Sequence, residues 1–193
     1  MKIDVVIVTY NRLSKLKKTL DCYEKQTVPF RNLIIVNNNS SDGTMEYLKE
    51  WKNTNTPFNK VIIHTNENLG GAGGFYIGEK KALSLSPDWI FIADDDAYPE
   101  PDLMEKFHLF AQQHPTDIYS AVCATVLTPD GDIDISHRSH YTVTPTNHFI
   151  WDASSLEEYQ KPFFKIDFLS YVGPFLNVHA LKKVGLINPK FFI

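Results

Sequence analysis

Short apolar runs rich in β-branched residues alternate along this chain with segments of helical periodicity, and this alternation restricts the possible fold more than any other feature. Leu13, Leu16, Leu20 and Tyr23, for example, recur at the three- and four-residue spacing of one helix face. The alternation predicts βαβ units, and therefore an α/β fold with a mostly parallel sheet covered by helices on both faces. The predicted strands are residues 3–8, 33–36, 61–64, 89–93 and 119–127.

The predicted helices occupy residues 13–23, 45–51, 77–85 and 103–110, and a glycine-rich loop at 70–74 precedes the third of them. Residues 40–43, Ser-Ser-Asp-Gly, offer N-caps for the second helix. The pattern loosens beyond about residue 136. Residues 137–163 show no sustained period and contain several turn formers, so we predict a long functional loop or insertion there.

Charge and hydropathy exclude several classes of protein. The net charge of −4 gives no electrostatic reason to expect nucleic-acid binding, because proteins that bind nucleic acid usually carry a basic patch. No apolar run approaches the roughly 18 residues of a membrane span. The two cysteines lack metal-site spacing, which suits a reducing compartment. We therefore expect a soluble cytoplasmic protein, attached at most to the inner face of the membrane.

Polar and glycine-rich segments follow four of the predicted strands, at residues 9–12, 37–39, 68–74 and 94–96. Ligands of parallel α/β sheets bind beyond the carboxyl ends of the strands. The four segments should therefore meet at one edge of the sheet. The Asn/Ser-rich segment at residues 37–43 offers donors and acceptors for a base edge, but it is equally suited to capping the helix that follows.

Three consecutive aspartates, Asp94, Asp95 and Asp96, directly follow the fourth strand. Successive side chains of an extended chain alternate in direction, so we expect Asp94 and Asp96 to project to one side and Asp95 to the other. Two such carboxylates form half of a site for Mg²⁺ or Mn²⁺, which substrate phosphates and waters complete. The alternative is a solvated acidic turn that caps the next helix.

The glycines at 70–74 have two interpretations as well. They permit close approach to a phosphate, or tight packing of a helix on the sheet. A dinucleotide fingerprint fails because Tyr76 stands at its third glycine, and a Walker loop fails because no Gly-Lys-Ser/Thr follows.

Together these segments resemble a family-2 glycosyltransferase of the GT-A fold. The similar pieces are residues 6–12 (VIVTYNR), 36–44 (VNNNSSDGT), 66–71 (NENLGG), 94–99 (DDDAYP), 184–187 (VGLI) and 191–192 (FF). The resemblance implies donor contacts at Thr9, Tyr10, Arg12, Asn38, Asn68, Gly70, Gly71, Asp94 and Asp95, and Mn²⁺ or Mg²⁺ ligands at Asp94 and Asp96.

Within that family, the glycine run combined with the aspartates looks most like galactofuranosyltransferases, which use UDP-galactofuranose. Rhamnosyltransferases that use dTDP-rhamnose are the alternative, and because many relatives carry Asp where this chain has Asn38, uracil and thymine both stay open. The resemblance implies inverting transfer to a glycan or lipid-linked acceptor.

The resemblance places the catalytic base beyond Ile193, so we expect a C-terminally truncated chain without its base. Residues 1–135 would form the donor-binding half, and residues 136–193 the start of an incomplete acceptor-binding half. The competing interpretations are an inactive nucleotide-sugar-binding fragment, a nucleotidyltransferase, and an interaction domain whose C-terminal aromatic residues mediate homodimerisation.

Overall fold

The computed structural model describes residues 1–191, except for the side chain of Asp117. Phe192 and Ile193, which include part of the last similar segment, lie outside the described residues. The strands are β1 Ile3–Thr9, β2 Asn32–Asn37, β3 Asn59–His64, β4 Trp89–Asp94, β5 Ala121–Cys123, β6 Arg138–Val143, β7 Phe149–Ala153, β8 Phe168–Leu169 and β9 Pro174–Asn177. The α-helices are α1 Leu13–Glu24, α2 Thr44–Trp51, α3 Gly70–Ser84, α4 Leu103–Gln113, α5 Leu156–Tyr159 and α6 Val178–Val184.

The main sheet has the strand order β3-β2-β1-β4-β9-β5. Its first four strands run parallel, with Val6 of β1 opposite Ile34 on one side and Ile92 on the other. Alternate side chains of β1 enter separate cores, because Val5 and Ile7 pack with α1 and α2 while Val6 and Val8 pack beneath α3 and α6. The predicted mostly parallel sheet with helices on both faces is confirmed.

The fifth predicted strand is wrong in extent. Only Ala121–Cys123 forms β5, and it pairs antiparallel with β9 rather than with β4. Strand β9 comes from residues 174–177, more than fifty positions later in the chain, and it occupies the place beside β4. Local periodicity identifies an extended segment but contains no information about a distant strand that takes its partner.

The third helix starts at Gly70, seven residues before its predicted start, so the glycine run is mostly helical rather than a loop. A Cβ atom at Gly74 would lie 2.5 Å from Val8 Cγ1, and one at Gly78 would overlap Val6 Cγ1. Two glycines therefore let α3 lie directly on β1. The contact with the sheet outweighs the low helix propensity of glycine, which costs about 1 kcal/mol per residue relative to alanine.

Residues 137–163, predicted as a loop, contain most of a second sheet with the order β7-β6-β8. Tyr141 lies opposite Trp151 across this hairpin, and Val143 lies opposite Phe149. All five residues of β7 are exposed, so no buried face imposes the apolar–polar alternation by which a strand is recognised in a sequence. None of the helices in residues 1–191 is long and apolar enough to span a membrane.

Candidate active site

The carboxyl ends of the parallel strands meet at one edge of the main sheet, which we call the rim. The register places Thr9 opposite Asn37, Asn37 opposite His64, and Val8 opposite Asp94. The segments that follow these strands are cross-bonded. Ser41 N donates to Asn11 Oδ1 at 2.7 Å, which ties the loop after β1 to the loop after β2.

Asp42 contributes to the same connection. Its carboxylate accepts from Leu13 N at 2.9 Å, at the start of α1, and from the hydroxyl of Thr44 at 2.6 Å, at the start of α2. The bond from Leu13 N, together with one from Thr44 N at 3.2 Å, satisfies main-chain donors that a helix start leaves free. Part of the Asn/Ser-rich segment therefore caps helices, which agrees with one of the two interpretations of this segment. Tyr10, in the neighbouring loop after β1, is exposed.

Strand β4 ends at Asp94, the first of the three aspartates. A turn follows, in which Ala97 N donates to Asp94 O at 3.2 Å. The extended chain on which the predicted alternation was based therefore ends at Asp94, and the placement of Asp94 and Asp96 on one side stays a prediction. The Asp95 carboxylate accepts from Thr9 Oγ1 at 2.6 Å in the interior, whereas Asp96 faces α1.

Two cations at the start of α1, Arg12 directly before the helix and Lys15 in its first turn, neutralise part of this acidic turn. Arg12 Nη1 lies 3.0 Å from Asp96 Oδ2 and 3.5 Å from Asp95 Oδ1. Lys15 Nζ lies 2.7 Å from the same Asp96 oxygen. Sequence reasoning did not assign Lys15 to the site. Its position three residues after Arg12, which directly precedes α1, was the sequence signal that the two side chains could lie close together.

Burial and neighbouring charge shift the acidities at the rim. Burial raises the pKa of Asp94 to about 6, helped first by the charge of Asp96 and then by that of Asp95. Burial also raises the pKa of Asp95, although the Thr9 hydroxyl and Arg12 oppose this shift. Asp94 and Asp96 thus repel each other, and a divalent cation between them would relieve that repulsion.

The chemistry of this pair fits a hard cation in part. Carboxylate oxygens are the ligands that Mg²⁺ and Mn²⁺ prefer. Nowhere in residues 1–191 do three His, Cys, Asp or Glu side chains gather as a metal site. Asp94 and Asp96 therefore supply at most half of a coordination shell, which agrees with sites where substrate phosphates and waters supply the rest.

Asn38 is buried and its amide is fully engaged. Nδ2 donates to Asn68 Oδ1 and to Gly70 O, both at 2.9 Å. Oδ1 accepts from Leu69 N at 3.0 Å and from Thr65 Oγ1 at 3.3 Å. The side chain thereby holds the segment that leads into α3. Direct contact with a base stays a prediction, and it requires one of these hydrogen bonds to be exchanged.

The start of α3 lies at the same edge of the sheet. Gly70 N donates to Asn68 Oδ1 at 2.9 Å, and Gly70 itself has a φ of +69°, which favours glycine. Gly71 follows in the first turn of the helix, and Gly74 packs on Val8 next to the end of β1. The structure thus brings together Thr9, Arg12, Asn38, Asn68, Gly70, Gly71 and Asp94–Asp96 along one rim.

Comparison with known proteins shows what this arrangement is similar to. The sequence model of the family described as Glycosyl transferase family 2 matches residues 4–185. Galactofuranosyltransferase GlfT1 of Mycolicibacterium smegmatis is 37% identical over 94 residues, which cover 49% of this chain and 30% of that protein.

Two solved structures show the same fold. S. aureus TarS 1-349 in complex with UDP has a TM-score of 0.65 at 16% identity, covering 95% of this chain and 48% of that chain. GalNAc-T7 with UDP, GalNAc and Mn²⁺ has a TM-score of 0.68 at 15% identity, covering all of this chain and 38% of that one. The predicted GT-A fold is confirmed, and the matched region is less than half of each of the three proteins.

Proposed function

The chain belongs to glycosyl transferase family 2, and we propose that it takes part in moving a sugar from a UDP-sugar, with a divalent cation, to a glycan or lipid-linked acceptor. The first candidate for the sugar is galactofuranose, because the 37% identity to a galactofuranosyltransferase extends over half of the chain. Transfer with inversion, by direct displacement at the anomeric carbon, is part of the same proposal.

One observation carries the proposal. The acidic turn 94–96 lies at the carboxyl end of β4, within the family match, and its central carboxylate is hydrogen-bonded to Thr9 at the end of β1. Carboxylates, two cations and a helix start therefore share the edge of the sheet at which α/β proteins bind nucleotides.

The residues of this site have separate roles in the proposal. Asp94 and Asp96 hold Mn²⁺ or Mg²⁺, and the charge of that ion would neutralise the diphosphate leaving group. Asp95 positions Thr9 and Arg12 rather than binding the ion, because its carboxylate is buried against both. A carboxylate base would deprotonate the acceptor hydroxyl, and we assign that role to none of the acids in residues 1–191.

The acceptor is proposed to contact residues 136–193, and the donor residues 1–135. Five large side chains on one side of the second sheet are 46–64% exposed and form what we call the aromatic face: Tyr141, Val143, Phe149, Trp151 and Phe168. This sheet joins the main sheet near the rim, because Gly173 N, shortly after β8, donates to Ile92 O of β4 at 3.0 Å. Exposed apolar patches of this kind mark binding surfaces.

The test of the donor site is calorimetric titration of UDP, with dTDP for comparison, in the presence of Mn²⁺ and again with chelator. UDP binding should depend on Mn²⁺ and disappear in the double variant Asp94→Ala/Asp96→Ala. A matched control is Asp130→Ala/Asp132→Ala, which removes two carboxylates at the same spacing from an exposed turn. Equal UDP binding with and without metal, or unchanged binding in the first variant, would contradict the proposed site.

The alternative functions give different results in the same samples. Preference for dTDP favours the rhamnosyltransferase interpretation. A nucleotide-sugar-binding module would bind UDP in the presence of metal but would not turn over UDP-galactofuranose, either as this chain or in a form extended at its C-terminus. Light scattering measures the molar mass in solution. A mass twice that of one chain, which falls to the monomer mass in Trp151→Ser, would assign the aromatic face to a second copy of the chain instead of the acceptor.

A further inference from the structure

Asp96 is the only one of the three consecutive aspartates that contacts two cations at a single oxygen. Lys15 Nζ and Arg12 Nη1 lie 2.7 Å and 3.0 Å from Asp96 Oδ2. The two cationic side chains are about half exposed, at 49% and 51%, so water reaches both. In the part of the chain that the structure describes, no lysine or arginine contacts the Asp94 carboxylate.

We propose that Lys15 is a resident counter-ion of Asp96, which a divalent cation must displace and which then pairs with the diphosphate of the donor. The inference rests on the proposed function, in which Asp96 is a metal ligand. A divalent ion would coordinate a carboxylate oxygen at roughly 2.0–2.2 Å. Since an ammonium group already lies 2.7 Å from that oxygen, the two like charges cannot both stay there without strong repulsion.

Lys15 is better suited to move than Arg12. Its ammonium group is a point charge on a flexible four-carbon chain, and among the described residues its one ion pair is with Asp96. Arg12 is held by a second carboxylate, Asp95, which is itself fixed by Thr9. Displacement of Lys15 frees a cation close to the oxygens that complete the metal shell, and in the proposed complex those oxygens belong to the diphosphate.

This role predicts changes of opposite sign in two affinities. Without Lys15, Asp96 keeps only Arg12 as a paired cation, so Mn²⁺ alone should bind more tightly. The diphosphate loses a cation, so UDP should bind more weakly to the Mn²⁺-saturated protein. A purely structural role of Lys15 would weaken both affinities together or change neither.

The experiment compares Lys15→Gln with the wild type by electron paramagnetic resonance of free Mn²⁺ without nucleotide, and by calorimetry of UDP at saturating Mn²⁺. We expect Mn²⁺ affinity to rise, and UDP affinity to fall, each by about two- to fivefold, the range of a partly exposed ion pair. Lys15→Arg keeps the charge and should stay near wild type. Lys25→Gln is the matched control, because it breaks a 2.6 Å pair with Asp21 at the far end of α1.

Two results would overturn the role of Lys15 and leave the proposed function intact. One is a wild-type Mn²⁺ affinity in Lys15→Gln, and the other is a fall in its affinities for both Mn²⁺ and UDP. A wild-type chain that binds no Mn²⁺ contradicts the metal assignment in the proposed function, and the role of Lys15 falls with it. Thermal unfolding of each variant confirms that it is folded, and Gln has nearly the same helix propensity as Lys.

Discussion

Replacing Asn38 by aspartate exchanges one NH₂ group for an oxygen and changes almost nothing in shape. In the structure that NH₂ group donates to Asn68 Oδ1 and to Gly70 O, each at 2.9 Å, and the side chain is only 1% exposed. In the variant a buried carboxylate oxygen faces two acceptors. The direction of the amide is fixed by two main-chain partners, because Leu69 N donates to its oxygen and Gly70 O accepts from its nitrogen.

The expected cost follows from these contacts. Two hydrogen bonds are lost, at about 1 kcal/mol each, and an uncompensated buried charge adds about 1–3 kcal/mol, for a total of roughly 3–5 kcal/mol at neutral pH. Burial and the facing acceptors would raise the pKa of the new carboxyl group above its unfolded value of about 3.9. The cost is therefore smallest below the unfolded pKa and grows as pH rises through the folded pKa.

Urea unfolding at pH 5 and pH 8, with UDP titration at each pH, measures this effect. We expect Asn38→Asp to unfold at lower urea than the wild type, more so at pH 8, and to bind UDP more weakly because the segment before α3 is released. Asn39→Asp is the matched control, since it adds the same charge at an exposed neighbour. Unchanged stability together with equal or tighter UDP binding would refute this role of Asn38 and favour direct contact with the base.

Three further variants test the fold around the site. Gly78→Ala should lower the free energy of unfolding by about 1–3 kcal/mol, because the new methyl group overpacks against Val6. Urea unfolding should show that Gly78→Ala/Val6→Ala recovers part of this loss. No recovery would contradict the proposed contact. Burial raises the pKa of Glu79, so wild-type stability should fall as pH rises from the unfolded to the folded pKa of this group. In Glu79→Gln the urea midpoint should depend less on pH. Equal pH dependence of the urea midpoint in both proteins would refute this prediction. Thr9→Val removes the 2.6 Å bond to Asp95, and thermal unfolding should show a loss of about 1.5–3 kcal/mol, whereas unchanged stability would mean that this bond contributes nothing.

The sequence by itself determined the order of the elements and the edge at which the polar residues gather. Four of the five predicted strands closely match strands of the structure. Three of them, β1, β2 and β4, have nearly continuous apolar runs because both faces of the sheet are covered there, whereas β3 is a partly exposed edge strand. The positions of Thr9, Asn38 and Asp94 at the rim follow from the rule that parallel strands end on one side of a sheet. The family match at residues 4–185 agrees with the motifs at those strand ends.

Tertiary structure alone decided which strand lies beside β4, how α3 begins, and where each carboxylate points. Strand β9 reaches its place from the far end of the chain, and the glycines of α3 are helical because β1 lies directly beneath them. Asp95 is held inside by Thr9 at the end of β1, and Lys15 joins Asp96 from a separate helix. A periodic sequence pattern records which side of an element is buried, whereas the partner that buries it is set by contacts between residues distant in sequence.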